Sequence, residues 1–136
     1  MRFLVDANVL SEATRPRPDP NALAWLERHE RRMVVDPIIL GEIRYGILRL
    51  PRGRRRRRLE EWFDQGVGMI DCVDWDAATG LRWSLLLADL REAGAAMPIK
   101  DSLIAATALQ HGFAIATRNV ADFRRSGATV VDPFEP

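Results

Sequence analysis

The chain has 136 residues, a formal net charge of +1 and 47% hydrophobic residues, the profile of one globular domain with a real core rather than a disordered chain. No apolar run approaches the roughly 20 residues a membrane span needs, and Asp6 comes too early for a secretory signal, so a cytoplasmic protein is expected. A single cysteine, Cys72, excludes an internal disulfide or a cysteine-based zinc cluster, and it reads as a small core residue.

In chain order, Phe3, Leu4 and Val5 read as a short buried strand running straight into Asp6 and Asn8. Asn8 is the expected N-cap of a first helix. Asp6 itself has three competing readings: helix cap, nucleophile or metal ligand. "RPRPDPN" (15–21) is a surface connection, with Asp19 as an N-cap and Pro20 at the first helical position. "MVV" (33–35) is a second strand. After Asp36–Pro37, the spacing of Ile39, Ile43, Ile47 and Leu50 predicts a helix. Behind the arginine run at 52–58, Leu59, Trp62, Phe63 and Gly66 keep helical spacing. "VGMIDCV" is a linker or a short strand, and Trp75 to Ala93 is a long amphipathic helix ending near Gly94. "DSLIAATALQH" is a small-residue helix opened by Asp101 and stopped by Gly112. "FAIAT" is a strand, "NVADFRR" a short helix and "ATVVDP" a last strand. Short apolar strands alternating with amphipathic helices imply an α/β sandwich, a mostly parallel sheet with helices on both faces.

Ligands of open α/β sheets sit beyond the C-terminal strand ends. That rim receives Asp6 from the first strand and Thr117, Asn119 and Asp122 from the segment after "FAIA". Asp101 opens the preceding helix, where a simple cap is the alternative to a site role. Glu42 borders an apolar stripe, with Ile38 and Gly46 one turn away. Carboxylates about 5 Å apart repel by about 3 kcal/mol at an effective dielectric near 20. Several together either hold protons or recruit a cation. Oxygen donors without histidine or cysteine favour Mg²⁺ or Mn²⁺ over zinc.

At this point the sequence resembles the PIN domain family, and within it the VapC-type toxins of bacterial toxin–antitoxin pairs. The resemblance rests on "FLVDANVLSE", "PIILGEIRYGILRLPRGRRR", "IKDSLIAATALQHGFAIATRNVADF" and "VVDPFEP", in that order and across essentially the whole chain. It implies a single PIN domain with Mg²⁺-dependent endoribonuclease activity, hydrolysing RNA by metal-activated water. Asp6, Glu42 and Asp101 match the family's acidic triad. Asn119 stands where some relatives carry a fourth acid, with Asp122 three residues on, and Thr117 would position water or phosphate. A small antitoxin encoded next door and a homodimer are implied as well.

Five consecutive arginines, Arg54 to Arg58, sweep about 500° of helix and cannot share one face. Arg55 falls on the Leu59–Trp62–Phe63 side and should lay its stem on apolar surface. Arg54, Arg56, Arg57 and Arg58 form a cationic collar, read as a solvated face, as contacts for RNA phosphate (Arg54, Arg56 and Arg57 foremost), or as antitoxin or dimer contacts. The four tryptophans read as packing residues. His29 lies in an exposed segment and His111 in a last helical turn, and neither reads as a general base. Two rival functions remain. Haloacid dehalogenase-like phosphatases also begin with a strand and an aspartate, which would make Asp6 a nucleophile. A catalytically silent RNA- or protein-binding PIN domain is the other.

Overall fold

Three-residue apolar runs make the middle of the sheet. The computed structural model describes residues 1–136. β1 (Phe3–Val5), β2 (Met33–Val35) and β4 (Ala114–Ala116) are flanked by the two-residue strands β3 (Asp71–Cys72) and β5 (Val130–Val131). The order is β3-β2-β1-β4-β5, and every neighbouring pair is parallel. Leu4, Val5, Val34, Val35, Ala114, Ile115 and Ala116 have no exposed surface. Side chains alternate between faces, so full burial of successive residues means that helices cover both sides.

The helices are α1 (Ala7–Leu10), α2 (Pro20–Arg28), α3 (Pro37–Leu48), α4 (Arg54–Gln65), α5 (Ala77–Glu92), α6 (Ile99–His111) and α7 (Val120–Arg124). Their starts follow local chemistry. The carboxylate of Asp19 accepts from the backbone N–H of Asn21 and Ala22, and that of Asp36 accepts from Ile39, each with proline in the first turn. Asp76 and Thr79 close a capping box on α5. Gly112 ends α6 at φ 73°, a left-handed conformation that glycine adopts without cost. The core joins Leu4, Val9, Ile39, Ile43, Ile104, Ile115 and Phe123 into one cluster. No helix is long and apolar enough to cross a membrane.

Several expectations are corrected. Asp6, not Asn8, caps α1, because the Asp6 carboxylate accepts from the Ala7 N–H at 2.8 Å while Asn8 is already inside the helix. Asp101 does not open α6. Pro98 precedes the helix and Asp101 is its third residue. Cys72 is exposed, because β3 is an edge strand rather than part of the core. His29 is half-buried: its ring stacks on Trp25 at 4.4 Å and meets the edge of Phe3 at 4.9 Å. The tryptophans pack as expected. Trp75, just before α5, and Trp83 within it donate their indole N–H groups to the Leu103 carbonyl and the Ser102 hydroxyl, which ties α5 and the segment leading into it to α6 next to Asp101.

Candidate active site

The strand order reverses between β1 and β4, and there the chain places its polar residues at the C-terminal rim. Val5 pairs with Ala116, so the next residues, Asp6 and Thr117, lie side by side. The Thr117 hydroxyl donates to Asp6 Oδ2 at 2.8 Å, and the Asn8 amide reaches both residues at 3.3 Å. The Asn8 oxygen accepts from the Arg118 N–H, and Thr117 Oγ1 accepts from the Asn119 N–H at 3.0 Å. This network fixes the Asp6 carboxylate before anything binds it. Thr117 is fully buried and committed to Asp6, so it orients that carboxylate instead of reaching water or phosphate.

Asp101 comes to the same rim from the first turn of α6 and is 6% exposed. The Asn119 amide donates to its Oδ2 at 3.2 Å. Asn119 therefore acts on the acid group as a neutral donor. Glu42, from the middle of α3, takes the Lys100 ammonium on Oε1 at 3.0 Å, while its Oε2 is buried without a hydrogen-bond partner. Asp122 is half-buried and faces Arg125 at 3.7 Å.

These groups influence one another's charge. Burial pushes the Asp6 carboxyl up; the Thr117 hydrogen bond opposes the shift and the Glu42 charge adds to it. Asp101 is pushed from an ordinary 3.8 to about 6, first by burial and then by repulsion from Asp6, with Lys100 opposing and Asp122 and Glu42 adding. Burial works against the Lys100 charge, but the hydrogen bond to Glu42 and attraction to Glu42, Asp101 and Asp6 outweigh it and hold its pKa above normal. One ammonium thus answers to three carboxylates.

The donor chemistry suits a divalent cation, but the arrangement does not close around one. The groups are carboxylate oxygens, one of them buried and unpartnered, in a cluster with excess negative charge, which is hard-cation chemistry. No three acid side chains surround a common point at ligating distance. The cluster is therefore coupled electrostatically but not closed.

A groove of about 550 Å³ adjoins the acids, lined by Asn8, Glu42, Lys100, Arg49, Arg55 and Trp62 among others. In the arginine run, Arg56 rather than Arg55 is the half-buried member, holding Glu60 at 3.0 Å and approaching the Leu50 carbonyl. The exposed Arg55 lies on the Leu59–Trp62 side as its spacing predicts, while Arg54 and Arg57 point to solvent. Sequence reasoning did not pick out Arg49 or the Glu42–Lys100 pair, and it read Asn8 as a cap rather than as a partner of Asp6 and Thr117. Glu42 and Lys100 are 58 residues apart and have no local signature.

Comparison with known proteins places this geometry. The family model described as PIN domain matches residues 3–127. "VapC ribonuclease Y4jK" of Sinorhizobium fredii is 33% identical over 98% of this chain and 99% of its own. "Plasmid stability protein StbB" of Pseudomonas syringae pv. tomato is 32% identical over 98% and 99%. Among solved structures, FitAcB from Neisseria gonorrhoeae superposes with a TM-score of 0.89 at 28% identity, covering 98% of this chain and 99% of that one. The phosphatase reading falls away, since the PIN domain match spans nearly the whole length. With its strand order, its rim of acids and this coverage, the chain belongs to the PIN domain family.

Proposed function

We propose that the chain is a divalent-metal-dependent endoribonuclease of the VapC kind, the toxin of a toxin–antitoxin pair acting in the cytoplasm. The observation that carries this reading is the gathering of acids at the sheet's switch point, where the charge of Glu42 acts on buried Asp6 and the charges of Asp6 and Glu42 act on Asp101. Relatives named as ribonucleases, among them "tRNA(fMet)-specific endonuclease VapC" of Shigella flexneri at 26% identity, support the reaction class.

Asp6, Asp101 and Glu42 would hold Mg²⁺, with Mn²⁺ as a substitute. When bound, the ion supplies charge neutralisation at the transferring phosphoryl group and activation of the attacking water. The chain does the positioning. Thr117 and the Ala7 N–H orient Asp6, the Asn119 amide orients Asp101, and Glu42 presents its unpartnered oxygen. Arg49 and Arg55 in the groove, with Arg54, Arg56 and Arg57 of the collar, offer cationic contacts along the RNA phosphates, Arg56 the least freely because it holds Glu60. Water would add to phosphorus as the P–O bond to the leaving ribose oxygen breaks and that oxygen takes up a proton, so no 2′-hydroxyl nucleophile would be required.

An adjacent antitoxin is the proposed protein partner, in line with the similarity to FitAB bound to IR36 DNA, at a TM-score of 0.92 and 27% identity. A homodimer is proposed as well, and Leu81 and Leu85, exposed one turn apart on α5, give it apolar surface to bury. Purified protein incubated with RNA is expected to cleave with Mg²⁺ and to stop when the metal is chelated. Asp6→Asn or Asp101→Asn should lower the rate by about 1000-fold with the fold intact. RNA binding that persists in chelator, with no cleavage under any condition, would support the silent binder instead. Asn119 as a neutral donor on Asp101 is the observation that favours that second reading.

A further inference from the structure

The chain carries four tryptophans, five phenylalanines and one tyrosine. The tryptophans and phenylalanines are all buried or half-buried, whereas Tyr45 keeps 65% of its surface exposed. A singly exposed aromatic is ordinary on a protein surface and needs no explanation. Three features distinguish this one. It sits on α3 three residues after Glu42, so the two side chains leave neighbouring positions of the helix surface. It lines the groove that also holds Asn8, Lys100 and Arg55. The Arg49 guanidinium, from the residue that caps the end of α3, lies over its ring at 5.9 Å. Trp62, the other aromatic of the groove wall, is half-buried against the core, which leaves Tyr45 as the ring free to be covered.

Resting on the nuclease reading above, we infer that Tyr45 is a stacking platform for the base of a nucleotide flanking the bond to be cut. An open ring beside basic side chains offers a π face that any base can cover, and such stacking tolerates sequence. Arg49 suits the same use. Its planar guanidinium is attracted to the ring and brings a positive charge within reach of the phosphate of the stacked nucleotide. The other arginines of the groove grip the backbone and act alike on every nucleotide, with or without a base. Tyr45 acts on the base alone. To lie on the ring a base must leave its own stack, so this contact favours an unpaired nucleotide over one inside a helix.

Because Tyr45 is the only tyrosine, growth on 3-fluorotyrosine labels this position alone, and the fluorine resonance reports on its ring. The labelled full chain is titrated, in chelator, with single-stranded RNA of mixed sequence and with an abasic strand of the same length. Anisotropy of a dye on each strand follows binding. The base-bearing strand is expected to shift the resonance and the abasic strand to leave it in place. In cleavage of the same RNA with Mg²⁺, Tyr45→Leu should raise KM roughly 10-fold, while Tyr45→Phe should match wild type. Circular dichroism checks the fold of both variants, and the kinetics decide even if the chelated protein holds RNA too weakly to titrate. A resonance that stays in place while the base-bearing strand binds, or that shifts equally with the abasic strand, would overturn this inference alone. So would a folded Tyr45→Leu with unchanged KM, including one that has lost only antitoxin binding, or a Tyr45→Phe as impaired as Tyr45→Leu. Wild type that neither binds nor cuts RNA would overturn the nuclease reading and this inference together.

Discussion

Asp6 and Asp36 occupy matching places in neighbouring units of the fold. Each follows a three-residue strand, each caps the next helix, and each receives a threonine hydroxyl from a distant segment: Thr117 to Asp6 at 2.8 Å, Thr107 to Asp36 at 2.7 Å. Both carboxyls are pushed up, chiefly by burial. Their surroundings differ. Asp36 has no exposed surface and is closed over by Thr107 and the start of α3. Asp6 stands at the switch point with Asn8 beside it and Glu42, Asp101 and Lys100 within electrostatic reach. A buried strand-end aspartate is therefore a recurrent device for starting a helix. What makes one of them a candidate for chemistry is the company of other charges.

The sharpest break in that comparison is a double dissociation. Asp6→Asn should abolish RNA cleavage, by about 1000-fold, yet cost no more than about 1 kcal/mol of stability, because asparagine caps nearly as well. Asp36→Ala should do the reverse, losing about 2–4 kcal/mol in urea unfolding through the lost cap and the orphaned Thr107 hydroxyl. Equal loss of activity in folded Asp36→Ala protein would erase the distinction. A smaller version uses the threonines. Thr107→Val should destabilise by about 1–3 kcal/mol. Thr117→Val should chiefly slow cleavage, by about 10-fold, by letting Asp6 turn.

The pH dependence sharpens the comparison further. Asp101 binds its proton more tightly folded, at about 6, than at its ordinary 3.8. Its contribution therefore favours the fold at low pH and is lost as pH rises from about 4 to about 6, by about 2 kcal/mol without metal. Asp36 has the same sign. Mg²⁺ should flatten the Asp101 portion, as Asp101→Asn does, and leave the Asp36 portion in place. Thermal melts at several pH values, with and without Mg²⁺, read this directly. The smallest effect expected is His111→Ala, which should leave cleavage unchanged, since that ring stacks on Phe113 at the far end of α6 from Asp101.

How much of this was legible beforehand follows the range of each interaction. The helix starts at Asp19–Pro20 and Asp36–Pro37, the stop at Gly112 and the strands at 3–5 and 33–35 depend on neighbours within a few residues, and the chain wrote them plainly. The acids at Asp6, Glu42 and Asp101 were visible as types out of place. Errors arose where local rules compete. Asp6 and Asn8 are both good caps, and only the observed backbone decides for Asp6. The arginine facing inward was chosen as Arg55, but Glu60 one turn along draws in Arg56. Contacts spanning 111 residues, as from Thr117 to Asp6, or 58 residues, as from Lys100 to Glu42, have no local signature and needed the fold.

The borders of the sheet carry a last consequence. Its outermost strands, Asp71–Cys72 and Val130–Val131, are each two residues long, and Asp71 at one border is tied by its carboxylate to Arg2 at 2.7 Å. Such stubs give an incoming strand from another molecule almost no ladder to extend, and the charge discourages a dry seam. The apolar centre can thus stay rigid enough to aim the acids without seeding fibrous self-association when the protein accumulates.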